Sequence, residues 1–154
     1  MLPVAVRDTR VDNLHTKRAQ IVAAQEELSQ LPQASGMATK HLFVAGLYCR
    51  HMFIPAGTII VGKEHKTDHF LIGCSGTLLV IGQGDDYYLQ PGDVIPSSEG
   101  TKRLVMALTD VVALNIHRTD RQSTDGLEEE LMARDPTALF DVNNQPKSGA
   151  LLCG

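Results

Sequence analysis

From about Lys40 to His117 the chain sustains no helical period; it breaks into short runs rich in β-branched and aromatic residues, each closed by turn-forming residues. Strands are expected near Leu42–Val44, Leu47–Ile54, Thr58–Val61, His69–Ile72, Thr77–Ile81, Tyr87–Leu89, Asp93–Ile95, Arg103–Leu108 and Val111–His117. Between them stand PAG at 55–57, SG at 75–76, GQGDD at 82–86, PG at 91–92 and SSEG at 97–100, residues that fix φ or tolerate a positive one. Many short strands at this spacing predict an all-β sandwich or jelly-roll barrel.

Helices flank this core. Asp12 and Asn13 are placed to cap a helix that runs to about Gln30 and is stopped by Pro32. Leu14, Ile21 and Leu28 recur every seven residues, with Leu31 beside them, as a narrow apolar stripe that must pack against something. The stripe either covers its own domain or docks on a neighbouring subunit, which makes Leu14, Ile21, Leu28 and Leu31 the interface candidates. After Arg118, Asp125 and Glu128 have the spacing of a capping box for a helix through Arg134, stopped by Asp135 and Pro136, and residues 137–154 read as an extended tail. The expected organisation is one domain: an arm and helix over 1–39, a β-barrel over 40–118, and a C-terminal helix and tail over 119–154.

Charge narrows the partners. Lys and Arg number 14 against 18 Asp and Glu, so the net charge of −4 offers no basic field for phosphate backbones, and no nucleic acid is expected. Aromatic residues make up 5% of the chain with no Trp, which leaves few stacking platforms for bases or sugars. No run approaches the ~18 apolar residues of a membrane span, and Arg7 and Asp8 interrupt the N-terminus before a signal-like stretch could form, so no membrane partner is expected. Cys49, Cys74 and Cys153 are too few and too scattered for a disulfide framework, which predicts a cytosolic setting, with Cys74 as a small buried apolar residue.

Residues 57–64, GTIIVGKE, satisfy the first seven places of a phosphate-binding loop. Glu64 stands where Ser or Thr should reach magnesium, and the β-branched run 58–61 should spend its amides on a sheet ladder, so this match is set aside. More informative are GKEHKTDHFLIGCSG at 62–76, LQPGDVIP at 89–96 and GTKR at 100–103. Here the chain resembles the cupin superfamily over roughly residues 42–117. That family carries an opening motif G-x5-H-x-H-x3,4-E-x6-G and a second motif G-x5-P-x-G-x2-H-x3-N. Anchored on Gly76, the first places Lys63 and His65 at its histidines and His69 at its glutamate; anchored on Gly92, the second places Ser98, Gly100, Arg103 and Ala107 at its proline, glycine, histidine and asparagine. The phrases KHLFVAGLYCR at 40–50 and IPAGT at 54–58 are also similar to those of small cupin-like proteins of tailed bacteriophages.

The resemblance implies a mainly β fold: a cupin-like jelly roll, or double-stranded β-helix, with an N-terminal helix and a short C-terminal helix plus tail. It also implies a metal held by three histidines and a glutamate, of which only His65 and His69 remain as candidate ligands. Lys63 and Arg103 put cations at two other places and oppose a divalent ion, so no cofactor is the first expectation and a divalent metal the second. Asp68, Glu64, His51 or His117 could complete a site in three dimensions, although His51 and His117 read first as ordinary strand residues. Lys63, His65, Lys66, Lys102 and Arg103 could instead line an anion pocket, or sit at the rim paired with Glu64, Asp68 and Glu99. The first functional expectation is a non-catalytic homo-oligomeric jelly roll that decorates a larger assembly such as a phage capsid, in the host cytosol or the virion. The alternative is a metal-dependent cupin enzyme using His65 and His69, and the third is a metal-free anion sensor.

Overall fold

A computed structural model of the chain describes residues 9–82, 84–136 and 138–145, with side chains from residue 17 onward. After a helix α1 (Thr9–Leu28), nine strands follow: β1 (Ala38–Val44), β2 (Leu47–Ile54), β3 (Ile59–Val61), β4 (His69–Ser75), β5 (Leu78–Ile81), β6 (Tyr87–Leu89), β7 (Val94–Ser97), β8 (Leu104–Ala107) and β9 (Val111–Arg118). A short helix α2 (Leu127–Leu131) closes the series. The strands form two antiparallel sheets, ordered β1-β2-β9-β4-β7 and β3-β8-β5-β6, the jelly roll that the turn spacing predicts.

The two sheets face each other across one apolar core. Met52 and Ile54 on β2, Leu71 on β4, and Val111 and Ala113 on β9 meet Leu78, Val80, Leu89 and Ala107 from the other sheet. Glycine permits two close approaches here. At Gly73 a Cβ would fall 2.3 Å from the Gln90 carbonyl oxygen, and at Gly76, with φ +73°, it would fall 1.9 Å from that of Asp110. Within the Gly57–Lys63 stretch, Ile59–Val61 forms β3, paired with β8, and the Gly57 and Gly62 amides donate to Ala107 and Arg103, so these amides do serve a ladder.

Helix α1 lies against its own barrel. Ile21 is buried and Leu28 packs on the core, while Leu31 is 55% exposed. The side chain of Leu14 lies outside the described residues, as does the tail from 146 onward. Arg18 ties the helix down through Glu64 Oε2 at 2.7 Å, and Lys17 through Asp86 at 2.8 Å. The capping box expected at Asp125 and Glu128 does not form: Gly126, at φ 67°, is the N-cap and no side chain caps the helix. Nor does α2 reach Arg134, because Met132 is extended and bridges His65. Two backbone bonds, Lys66 N–H to Leu131 O and Ala133 N–H to Glu64 O, draw the chain out of the helix and across the barrel mouth. Cys49 and Cys74 are free thiols; Cys74 is exposed, correcting the expectation of a buried residue, because it sits at the register shift near the end of β4.

Candidate metal centre and cavity

Sheet register builds the site. Cross-strand pairing sets Phe43 opposite Tyr48, Tyr48 opposite His117, His117 opposite His69, and His69 opposite Ser97, a single row across all five strands. Paired residues share a face, so this row points inward with the core residues Leu71, two places along β4, and Ala113, four places along β9. The next row inward runs His41, Arg50, Asn115, Leu71 and Ile95. The barrel therefore has an apolar end and a polar mouth.

His65 reaches this mouth from the loop after β3, held by Thr101 O, Gly100 N–H and the Met132 bridge. Its ring stacks on His69 at 3.9 Å between centroids and lies 5.2 Å from that of His117, with His69 and His117 at 4.8 Å. One nitrogen of each imidazole lies within 4.8 Å of the others. Burial first, then the neighbouring rings and arginines, holds His65 well below the usual histidine range. Burial, His69 and Arg50 pull His117 down to about 3. Burial also lowers His69, against the opposing effect of its bond to the Thr67 carbonyl. All three rings are thus neutral near pH 7, the state in which imidazole binds metal.

Several features fit a metal. His65 Nδ1 and His117 Nε2 are buried without a hydrogen-bond partner. His69 Nδ1 lies 3.0 Å from the Thr67 carbonyl, which can only accept, so Nδ1 carries the proton and Nε2 keeps its lone pair. Other features oppose it. The ring planes lie within 16° of parallel, whereas a shared ion needs in-plane lone pairs that converge, so metal binding requires ring rotation. Arg103 Nη1 stands 3.4 Å from His69 Nε2 and donates toward that same lone pair, while its Nη2 donates to Ser97 Oγ.

The other candidate residues disperse. Lys63 lines the cavity and pairs with Glu128 of α2. Lys66 is exposed and donates to Glu129 O; Lys102 is buried and donates to Gly62 O, with Asp135 at 3.5 Å. The expected four-cation pocket is therefore not assembled: of Lys63, Lys66, Lys102 and Arg103, only Lys63 and Arg103 line the cavity, because Lys66 and Lys102 serve backbone carbonyls elsewhere. Glu64 is taken by Arg18 and Asp68 by the Glu99 amide, so neither completes the histidine cluster. His51 pairs with Lys40 and Leu114 in the opposite alternation phase from the inward rows. His117, read first as an ordinary strand residue, is the third member of the cluster and only 1% exposed.

Behind the histidines lies a cavity of about 120 Å³. Its far wall is apolar, including Met52, Ile54, Leu71 and Leu78, and its cover is Leu127, Leu131 and residues 138–142. Arg50, unremarked in the sequence, faces it; Nη2 donates to Val142 O at 2.8 Å and Asn144 Oδ1 at 2.6 Å, while Nε is buried without a partner. Its signal was phase: Arg50 falls on the same alternate positions as the buried Tyr48, Met52 and Ile54.

This fold and mouth define a cupin-type jelly roll with a three-histidine cluster in its barrel. The chain is similar in fold to KdgF from Halomonas sp., at 19% identity and TM-score 0.50, covering 56% of this chain and 82% of that one. It is similar also to a cupin superfamily protein from Desulfitobacterium hafniense DCB-2, at 16% identity and TM-score 0.50, covering 60% and 88%. Salicylate 1,2-dioxygenase from Pseudaminobacter salicylatoxidans matches at 17% identity and TM-score 0.51 over 71% of this chain and 34% of that one. No family model and no curated protein matches the sequence. These likenesses show the fold, and they lend no support to the expected phage setting. Among the described residues, no helix is long and apolar enough to cross a membrane.

Proposed function

We propose that this protein is a metal-binding cupin that handles a small molecule in the barrel mouth, with His65, His69 and His117 as the protein ligands. The observation that carries this reading is the clustering of three neutral, buried imidazoles, two of them with a ring nitrogen that no protein group satisfies. A buried polar atom left unpaired costs roughly 1–3 kcal/mol, so two in one cluster favour a ligand that the protein itself does not supply. A divalent ion bound there would supply Lewis-acid or redox chemistry. The chain's own residues do the rest: Thr67 fixes the His69 tautomer, Tyr48 stacks at 6.1 Å on His117, and α2 covers the mouth. A relative of the same fold is a dioxygenase, which is compatible with this reading. Elemental analysis of chain purified without chelator tests it: about one transition metal per chain is expected, lost in His65→Ala/His69→Ala and in His117→Ala. No stoichiometric metal after incubation with iron, manganese, zinc or nickel refutes it.

A second reading, self-association, is favoured by one observation. Leu42, Val44, Leu47, Phe70 and Val94 are exposed along the outer face of the five-stranded sheet, Val44 by 65%. A contiguous apolar sheet face of this kind marks an interaction surface, and a second copy of the chain is the occupant proposed here. Any decorating role in a larger assembly would rest on the same face.

A further inference from the structure

The cavity's charge points to what it binds. Arg50 and Arg103 both line the cavity beside His65. None of the ion pairs among the described residues includes either arginine. Among the described residues Arg103 meets only neutral groups, the Ser97 hydroxyl, the His69 ring and the Tyr87 phenol. Arg50 spends Nη2 on a carbonyl and an amide oxygen and leaves Nε buried and unpartnered, and the Asp141 carboxylate acts on it without forming an ion pair. Partly buried cations without a counter-charge are unfavourable, and a second positive group close by makes them more so. The cavity lining sets three cations, Arg50, Lys63 and Arg103, against two carboxylates, Glu128 and Asp141, and the missing counter-charge is one anion.

Volume and wall chemistry restrict which one. An engineered cavity of about 150 Å³ holds benzene, so about 120 Å³ suits a molecule of roughly six non-hydrogen atoms. Further along the barrel from the arginines the wall includes Met52, Ile54, Leu71 and Leu78, which would leave a second charge or a hydroxylated chain unsatisfied. We propose that the cavity binds a short-chain monocarboxylate, its head between Arg50 and Arg103 and its hydrocarbon tail against Met52, Ile54 and Leu71. This goes beyond the metal reading, because these groups are present with or without the ion.

The test uses the full chain after chelator treatment, with thermal shift and calorimetric titration against sodium butyrate, butyramide, succinate and inorganic phosphate. Butyrate is expected to bind and raise Tm, and butyramide, with the same shape and no charge, to do neither. Arg103→Gln, checked for folding by circular dichroism, is expected to weaken butyrate about 30-fold or more, and Arg103→Lys to weaken it less. Equal responses to butyrate and butyramide, tighter binding of succinate or phosphate, or unchanged butyrate affinity in Arg103→Gln would each overturn the proposal. Metal content is read separately, so failure of one proposal leaves the other standing.

Discussion

Acid should destabilise the metal-free protein in a pH range where its carboxylates are still ionised, and His117 sets the scale. Unfolded, its imidazole titrates near ~6.5. Folded, burial and its charged neighbours hold it at about 3. At pH 7.5 both states are neutral and the group adds no pH dependence. Below ~6.5 the unfolded chain takes a proton that the folded one refuses, so stability is retained above that value and falls as pH drops toward the folded pKa. The slope approaches ~1.4 kcal/mol per pH unit, and by pH 5.5 the loss from this one residue is about 1.4 kcal/mol. His65 and His69, both lowered mainly by burial, act in the same direction. Unperturbed Asp and Glu titrate near ~3.9 and ~4.3, so a comparison of pH 7.5 with 5.5 isolates the histidines. Urea unfolding of chelator-treated protein should show the midpoint falling by ~0.5–1.4 M across that window, for slopes of ~1–3 kcal/mol/M. His117→Gln should recover about 1.4 kcal/mol of the difference, whatever it costs in absolute stability. Identical pH dependence in wild type and His117→Gln, or a wild type more stable at pH 5.5, would refute the reasoning.

Arg103→Gln should tighten binding of zinc or manganese. At ~6 Å and an effective dielectric of ~20 a divalent ion and a guanidinium repel by about 5 kcal/mol; the side chain can swing away and shed most of this, leaving a gain of ~10-fold by calorimetry. An unchanged affinity would show that Arg103 does not contest the His69 lone pair. Gly73→Ala sets its Cβ 2.3 Å from a backbone oxygen that belongs to a tight turn, and should cost about 2–4 kcal/mol in urea unfolding; a loss under ~0.5 kcal/mol would contradict the close approach. Phe70→Asp, on the outer sheet face, should shift light-scattering mass toward the monomer without altering far-ultraviolet dichroism, and a wild type that is already monomeric at high concentration would remove the self-association reading.

Local signals carried the barrel. The turns at 55–57, 75–76, 91–92 and 97–100 delimit strands close to where they form, because glycine and proline act on their own backbone. His65 and His69 were legible through motif spacing, whereas His117 was not. Along β9, Val112, Leu114 and Ile116 are as apolar as the inward Val111 and Ala113, so alternation alone does not say which face Asn115 and His117 occupy. Only the pairing with His69 and Tyr48 decides it, and such register is a long-range property. The end of helix α2 was hidden for the same reason: the helix stops at Leu131, short of Arg134, where Met132 bridges His65, a residue far away in the chain.

The polar mouth holds two kinds of unsatisfied chemistry that are complementary. Neutral imidazoles offer lone pairs with no cation of their own beyond the guanidinium at His69, and Arg50, Lys63 and Arg103 bring one more positive charge than Glu128 and Asp141 answer. A divalent ion alone would answer the first and worsen the second, since it adds two charges beside two arginines. An anion alone would answer the second and leave His65 Nδ1 and His117 Nε2 unpaired. Bound together, a metal and a carboxylate satisfy both, each lowering the cost of the other, so their affinities should be linked. Measured by titration, butyrate should bind more tightly to metal-loaded than to chelated protein, and the metal more tightly with butyrate present, by the same factor. Independent binding, with that factor near unity, would mean that the two unmet demands do not share one site.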